Sequence, residues 1–343
     1  MIPPRQDRRG FYEFFVLSCI IFVCSLLGLY ASENDVVRQR ISIAFAIIGV
    51  TGFVTAEGLS RPPHNGPHEF VLEELQKGKR DEDERVLVCL GDSLTHGACS
   101  AKWADGIIPA LMARQRCNRN SLKVVNAGQN SICTHTVLNE KMDHVITCRP
   151  DYVFVLIGTN DVMAMYRQDW ANEKKRLWKL PDVPTEDIMF RNLADIVTRL
   201  LDQTSAKIAV GTLPPWGEDS NAAANILIQK MNRGIIKIAQ DKEGSKRVTL
   251  IDINEALWQR IRDSQDSRIS FHRVDNFLPY AAVMGIFHCV LGIRWTTLAQ
   301  LFTGNVVLSE SLHLNEVGAG IIKDEVVRWL IQFDSTNETN QNR

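Results

Sequence analysis

Five short apolar runs recur along the chain with helix-like stretches between them: "VLVCL" (86–90), "LKVVNA" (122–127), "YVFVLIG" (152–158), "KIAVGTL" (207–213) and "VTLIDI" (248–253). Each run is continuous rather than alternating, which is the pattern of a strand buried on both faces. The intervening stretches, around 103–116, 134–147, 186–203 and 222–241, have the length and periodicity of helices. Strands alternating with helices predict a parallel sheet covered on both sides, with its ligand crevice beyond the carboxyl ends of the strands.

The residues at those ends are the ones to examine. The first run passes directly into Gly91-Asp92-Ser93-Leu94, the second into Asn126-Ala127-Gly128-Gln129-Asn130-Ser131, and the third into Gly158-Thr159-Asn160-Asp161. Gly91 permits a tight turn that leaves the Ser93 hydroxyl facing the crevice, although standing alone Ser93 reads better as a helix N-cap. Three neighbouring strand ends that deliver small or amide-bearing residues to one rim suit acyl transfer, in which a serine attacks a carbonyl and N–H groups hold the resulting oxyanion. The backbone amides of Ser93 and Gly128 and the side chain of Asn160 are the expected donors. A base is available in "SESLHLNE" (309–316): His313 stands three residues after Glu310, just before a helix-like segment starting near Asn315. His313 can accept the Ser93 proton, and a carboxylate at its other nitrogen fixes the tautomer. His96 and His135 have no comparable partner and are left outside the catalytic set.

These blocks, in this order and at these separations, resemble the SGNH or GDSL hydrolases over roughly residues 85–333. The resemblance implies a three-layer α/β/α fold with a flavodoxin-like five-stranded sheet, Ser93 as nucleophile, Gly128 and Asn160 as oxyanion donors, and His313 as base. One position departs from the family pattern: Glu310 stands where Asp is usual. The extra methylene moves the carboxylate by more than an ångström unless the loop compensates, and Ser311 or a water is the alternative partner for His313.

Two further segments bear on where the chain works. Arg5, Arg8 and Arg9 precede "FYEFFVLSCIIFVCSLLGLYA" (11–31), which contains one charge, Glu13, and reads as a retained membrane helix. After "SENDVVRQR" comes a second apolar run, "ISIAFAIIGVTGFVTA" (41–56), which is a second span, an interfacial segment or a buried helix. Two spans would return the chain to the side of its N-terminus, which the flanking basic residues make cytoplasmic; one span would make the domain lumenal. The expected organisation is an anchor over 1–59, a Pro/Gly-rich and then charged linker over 60–85, the hydrolase domain over 86–333, and a polar tail over 334–343. Within the domain, residues 254–308 form an insert whose apolar part, "FLPYAAVMGIFHCVLGIRWTTLAQLF" (277–302), is either an acyl-pocket wall or a helical pair packed on the core.

Composition excludes other classes. With 39 Lys and Arg against 40 Asp and Glu, the net charge of −1 provides no field for nucleic acid, and Lys174-Lys175-Arg176 reads as a solvated helix face. The eight cysteines are scattered without a scaffold spacing and are expected as free thiols, Cys89 acting as a small core residue. No metal-ligand spacing occurs, so neither metal nor cofactor is expected. The functional expectation is a membrane-anchored serine hydrolase acting on an ester, with acyl-lipids in view. An acyltransferase using the same acyl-enzyme and an inactive lipid-binding member are the alternatives.

Overall fold

The computed structural model of the chain describes residues 2–3, 17–21, 23–25, 36–78, 80–81, 83–114, 121–264 and 277–341. The five apolar runs form strands β1 (Arg85–Gly91), β2 (Leu122–Gly128), β3 (Tyr152–Leu156), β4 (Lys207–Gly211) and β5 (Val248–Ile251). They build one sheet in the order β2-β1-β3-β4-β5, with every neighbouring pair parallel.

Alternation along each strand explains why the runs are uniformly apolar. Val86, Val88 and Leu90 of β1 join the core on one face, with Val153, Val155 and Val210. Leu87 and Cys89 join the core on the other, with Tyr152, Phe154 and Ala209. Both faces are covered, so a polar residue in a strand must find a partner, as Asn126 does with Thr95 O and Gly128 N, or reach the margin of the sheet. The first face carries α2 (Pro67–Lys77), α5 (Met142–Thr147), α8 (Glu186–Gln203) and α9 (Ala223–Lys242). The second carries α4 (Ile107–Ala113), α10 (Ile253–Asp263) and α13 (Glu316–Gln341). Full burial pushes the Cys89 thiol well above its ordinary pKa, and it serves as packing.

Three segments differ from the sequence expectation. Residues 60–85 are not an open linker: α2 buries Phe70 and Val71, and Asn65 extends the edge of β2, its carbonyl accepting from Asn126 N at 2.9 Å and its side chain donating to Val124 O at 2.8 Å. An amphipathic run had been masked by the charged residues around it. The 334–343 tail continues α13 as far as Gln341, since neither glycine nor proline follows Gly320 to stop the helix. Lys174 is only 4% exposed, although Lys175 and Arg176 do face outward.

The second apolar run lies within α1 (Val36–Ser60), of which Arg40–Ser60 is long and apolar enough to cross a membrane. Ile41, Ile43, Phe45, Ile47, Ile48 and Val50 are exposed, so α1 is not an ordinary buried helix. Of the first apolar segment, residues 17–21 and 23–25 are helical and the remainder lies outside the described residues. Ser18 sits so close to Gly52 that a Cβ there would come within 2.5 Å of its Oγ. From the insert, α11 (Phe277–Leu291) packs along α1, with Gly285 against Thr55 and Leu59, and Gly58 against Cys289. Small residues at such crossings let helix backbones approach closely. Helix α12 (Trp295–Phe302) then leads back to the loop bearing His313.

Candidate active site

Ser93 begins a single helical turn, α3 (Ser93–His96), directly beyond β1. Asp92 is the N-cap, its carboxylate accepting from Leu94 N at 3.0 Å, so the serine hydroxyl is not consumed as a cap. Gly91 is required by crowding: a Cβ there would lie 2.4 Å from Leu156 O. The turn is braced by Trp103 Nε1 donating to Leu94 O at 2.9 Å and by Asn126 Nδ2 donating to Thr95 O at 2.8 Å.

The histidine arrives on an equally constrained loop. Leu308 and Leu314 form an antiparallel bridge, closed inside by Ser309 N donating to His313 O at 2.6 Å. Leu314 N donates to Ser100 Oγ and Ser309 Oγ to Cys99 O, which fastens the loop to the segment following α3. Asn315 Oδ1 accepts from Val317 N and Gly318 N and caps α13. From the opposite side, Glu218 gathers the N–H groups of Val306, Val307 and Leu308 at 2.8–3.0 Å.

The two segments meet with Ser93 Oγ 3.1 Å from His313 Nε2. His313 Nδ1 donates to Glu310 Oε1, and Glu310 Oε2 accepts from Leu312 N and, at 3.2 Å, from His313 N. Glu310 is 1% exposed and His313 7%. The additional methylene is accommodated because the carboxylate folds back over its own loop. Ser311, the alternative partner, has a buried hydroxyl with no hydrogen bond among the described residues.

The expected donors divide. The Ser93 amide stands at the start of α3 with no acceptor among the described residues, and Asn160, 5% exposed in α6 (Thr159–Tyr166), lines the same cavity as Ser93 and His313. Gly158, at φ +129°, makes the turn that aims α6 there. Gly128 is displaced from its expected role. Its N–H donates to Asn126 Oδ1 at 3.0 Å, and the space beside its Cα is filled by the backbone of Thr95 and His96. Ser131, three residues further on and held at φ +64°, lines the cavity instead. Both residues follow β2 within the stretch Asn126–Ser131, and only the course of the backbone separates the two positions.

Buried acids support this rim. Asp161 accepts from Thr134 N at 2.9 Å and Thr134 Oγ1 at 2.7 Å, tying the segment after Ser131 to the residue next to Asn160. Burial pushes its carboxyl up to about 7, against the Thr134 hydrogen bonds. Burial likewise pushes Asp92 up to about 6, opposed by the Leu94 N–H. A carboxyl whose native pKa lies above its unfolded value binds its proton more tightly when folded. Its contribution is therefore complete below the unfolded value and lost as pH rises through the folded one. D161N, which does not titrate, should accordingly gain stability relative to the parent between pH 4 and 7, by up to about 1 kcal/mol per pH unit. Denaturant unfolding across that range checks this, and a difference independent of pH refutes it. His96 is 5% exposed, and burial lowers its pKa to about 3. His135 lies in the short helix Thr134–Thr136.

The cavity over Ser93 encloses about 350 Å³. Thr55 and Leu59 of α1, Ala281 and Ala282 of α11, and Leu312 form its apolar wall; Asn130, Ser131 and Lys174 form a more polar one. The insert is thus both cavity wall and packed helix pair.

A parallel α/β/α sheet whose first strand runs into Gly-Asp-Ser-Leu, beneath a cavity lined by that serine and by an imidazole backed by a buried carboxylate, is the architecture of a carboxylic ester hydrolase. Residues 89–319 match the GDSL-like lipase/acylhydrolase family, and the chain belongs to that family. No curated protein sequence matches the chain. Among solved structures, the fold is similar to a variant of the acetyl xylan esterase Axe2 from Geobacillus stearothermophilus, at 16% identity and a TM-score of 0.50, over 71% of this chain and 93% of that one. It is equally similar to LAE5, an alpha/beta hydrolase from the metagenome of Lake Arreo, Spain, at 15% identity and a TM-score of 0.50, over 71% and 94% of the two chains.

Proposed function

We propose that the protein is a membrane-anchored serine hydrolase that cleaves lipid-like carboxylic esters through an acyl-enzyme on Ser93. The observation that carries this reading is the continuous relay from the buried Glu310 through His313 to Ser93, the last two lining a cavity walled partly by α1. Nε2 of His313 takes the hydroxyl proton as Oγ bonds to the ester carbonyl carbon, and the electron pair moves onto the carbonyl oxygen. Ser93 N–H, Ser131 N–H and the Asn160 amide hold that oxyanion, Ser131 taking the part first expected of Gly128. As the pair returns, the C–O bond breaks and the imidazolium gives its proton to the departing alkoxide. Water then repeats the sequence on the acyl-serine and releases the acid. Glu310 keeps Nδ1 protonated throughout and balances the imidazolium charge.

Anchoring through residues 1–59 is supported by the exposed apolar face of α1 and by the close approach of Ser18, in the helical residues 17–21, to Gly52 of α1. Pro3 O also accepts a hydrogen bond from His68 Nδ1 at 2.6 Å, which sets the N-terminus beside the domain, as a helical hairpin with two spans requires. With Arg5, Arg8 and Arg9 at that end, the positive-inside rule gives a cytoplasmic domain.

A fluorophosphonate probe applied to membranes holding the full chain tests both halves. Ser93 should be labelled and the protein should stay with the membrane at alkaline pH. An unlabelled Ser93 overturns the nucleophile, and release of the protein overturns the anchor. Hydrolysis of long-chain esters presented in phosphatidylcholine vesicles should exceed that of dissolved acetyl esters, and the reverse order removes the lipid-like substrate.

A further inference from the structure

Helix α7 (Gln168–Trp178) sends three side chains inward at i, i+4 and i+8: Trp170, Lys174 and Trp178. The flanking positions are of the ordinary kind for a core stripe. Trp170 stacks on Trp216 with ring centroids 5.5 Å apart, and Trp178 Nε1 donates to Ser131 O at 2.8 Å. Between them, where periodicity calls for an apolar residue, stands a lysine that is 4% exposed. Lys175 and Arg176 occupy the outward positions, so the helix had solvated sites for cations and still places one inside.

Among the described residues, Lys174 makes neither an ion pair nor a hydrogen bond. It lines the cavity shared by Ser93, Asn160 and His313. Asp92 feels its charge, but more weakly than burial, the Leu94 N–H and His313. Glu173 reaches the same cavity from an exposed position, where water screens it. An ammonium held in the cavity wall without a partner in the protein is open to an anion bound there, which supplies the counter-charge the fold does not. The facing wall, built from α1 and α11, suits a hydrocarbon.

From this we infer that Lys174 is a substrate-recognition residue, and that the ester the site is built for is an anionic amphiphile: its carboxylate or phosphate sits on Lys174 while its chain lies against α1 and α11. This rests on the Ser93 reading above and narrows its substrate class. One ammonium serves either an anion on the acyl portion or one on the leaving group, so the shared chemistry is the claim and the assay separates the two sources.

The test measures protection of Ser93 in the full-length, detergent-solubilised protein from a neutral fluorophosphonate by decyl phosphate, decanoate and decanol. In the parent, decyl phosphate and decanoate should protect at concentrations at least tenfold below that of decanol. In K174M that ratio should collapse towards one, while K174R, which keeps a cation, should retain most of it. An anion preference absent from the parent, or surviving in K174M, overturns the inference. So does an equal loss of protection by all three probes, which would make Lys174 a support of the fold. If Ser93 does not react with the probe at all, the hydrolase reading falls on its own account. Calorimetric titration of decyl phosphate into the parent and K174R against K174M then still decides whether the anion site exists: binding lost only in K174M supports it, and equal binding removes it. Matched ester pairs locate the anion. If it belongs to the acyl portion, the preference of 4-nitrophenyl hydrogen glutarate over 4-nitrophenyl butyrate in kcat/KM is the one that K174M abolishes. If it belongs to the leaving group, the sensitive preference is that of 4-butyryloxybenzoate over phenyl butyrate.

Discussion

S93A should lower ester turnover by about 10⁴-fold or more without unfolding the protein. The size follows from the relay: with Oγ gone, His313 has no nucleophile to activate, and what remains is binding plus oxyanion stabilisation of an attacking water. The fold should tolerate the change, because Asp92 and not Ser93 caps α3 and the only described hydrogen bond of the hydroxyl is the one it donates to His313 Nε2. Progress curves with a 4-nitrophenyl ester and a thermal melt of the same preparation check the two statements together. Turnover within tenfold of the parent would require another nucleophile. A melt lowered by more than about 5 °C would mean that Ser93 carries stability the described contacts do not account for.

E310Q should come next, with kcat reduced by about 10²–10⁴-fold. Glu310 is an acceptor at both oxygens: Oε1 towards His313 Nδ1, Oε2 towards the amides of Leu312 and His313. A glutamine can satisfy only one side. If its carbonyl keeps the amides, its NH2 faces Nδ1 and favours the tautomer that carries the proton on Nε2, where it cannot accept from serine. If its carbonyl keeps Nδ1, two buried N–H groups meet a donor. E310D, although it introduces the residue usual in the family, should also lose activity, since this loop has closed around the longer side chain. An E310D enzyme faster than the parent would show that Glu310 is a compromise. E310Q turnover equal to the parent's would remove the carboxylate from the mechanism.

The sheet was legible because burial on both faces keeps the strands predominantly apolar, so each announced itself as a short apolar run despite Lys123 and Asn126 in β2 and Thr249 in β5. Ser93, Asn160, Glu310 and His313 were legible because each sits within a few residues of a strand end or a helix start, where sequence position and spatial position agree. Gly128 shows where that agreement fails. Asn126 turns its side chain back onto the amide two residues later, and the chain needs three more residues to reach the rim at Ser131, a detour that no pattern encodes. Lys174 was hidden for a different reason, since a run of three basic residues looks solvated until the Trp170–Trp178 spacing is laid on a helix. Glu218 and Asp161 were not singled out because what they hold, a row of backbone amides and a threonine, is distant in sequence or unremarkable in type.

The wall that Thr55 and Leu59 give to the cavity, and the edge cover that Asn65 gives to β2, mean that this chain is not modular in the way its hydropathy profile invites. A version begun at residue 85 for the sake of solubility would keep every reactive group and yet open the chamber on one side. Its selectivity would change through the loss of that wall alone. Helix α1 and the residues carried by the sheet share one chamber, so exchanging either by itself would reshape it.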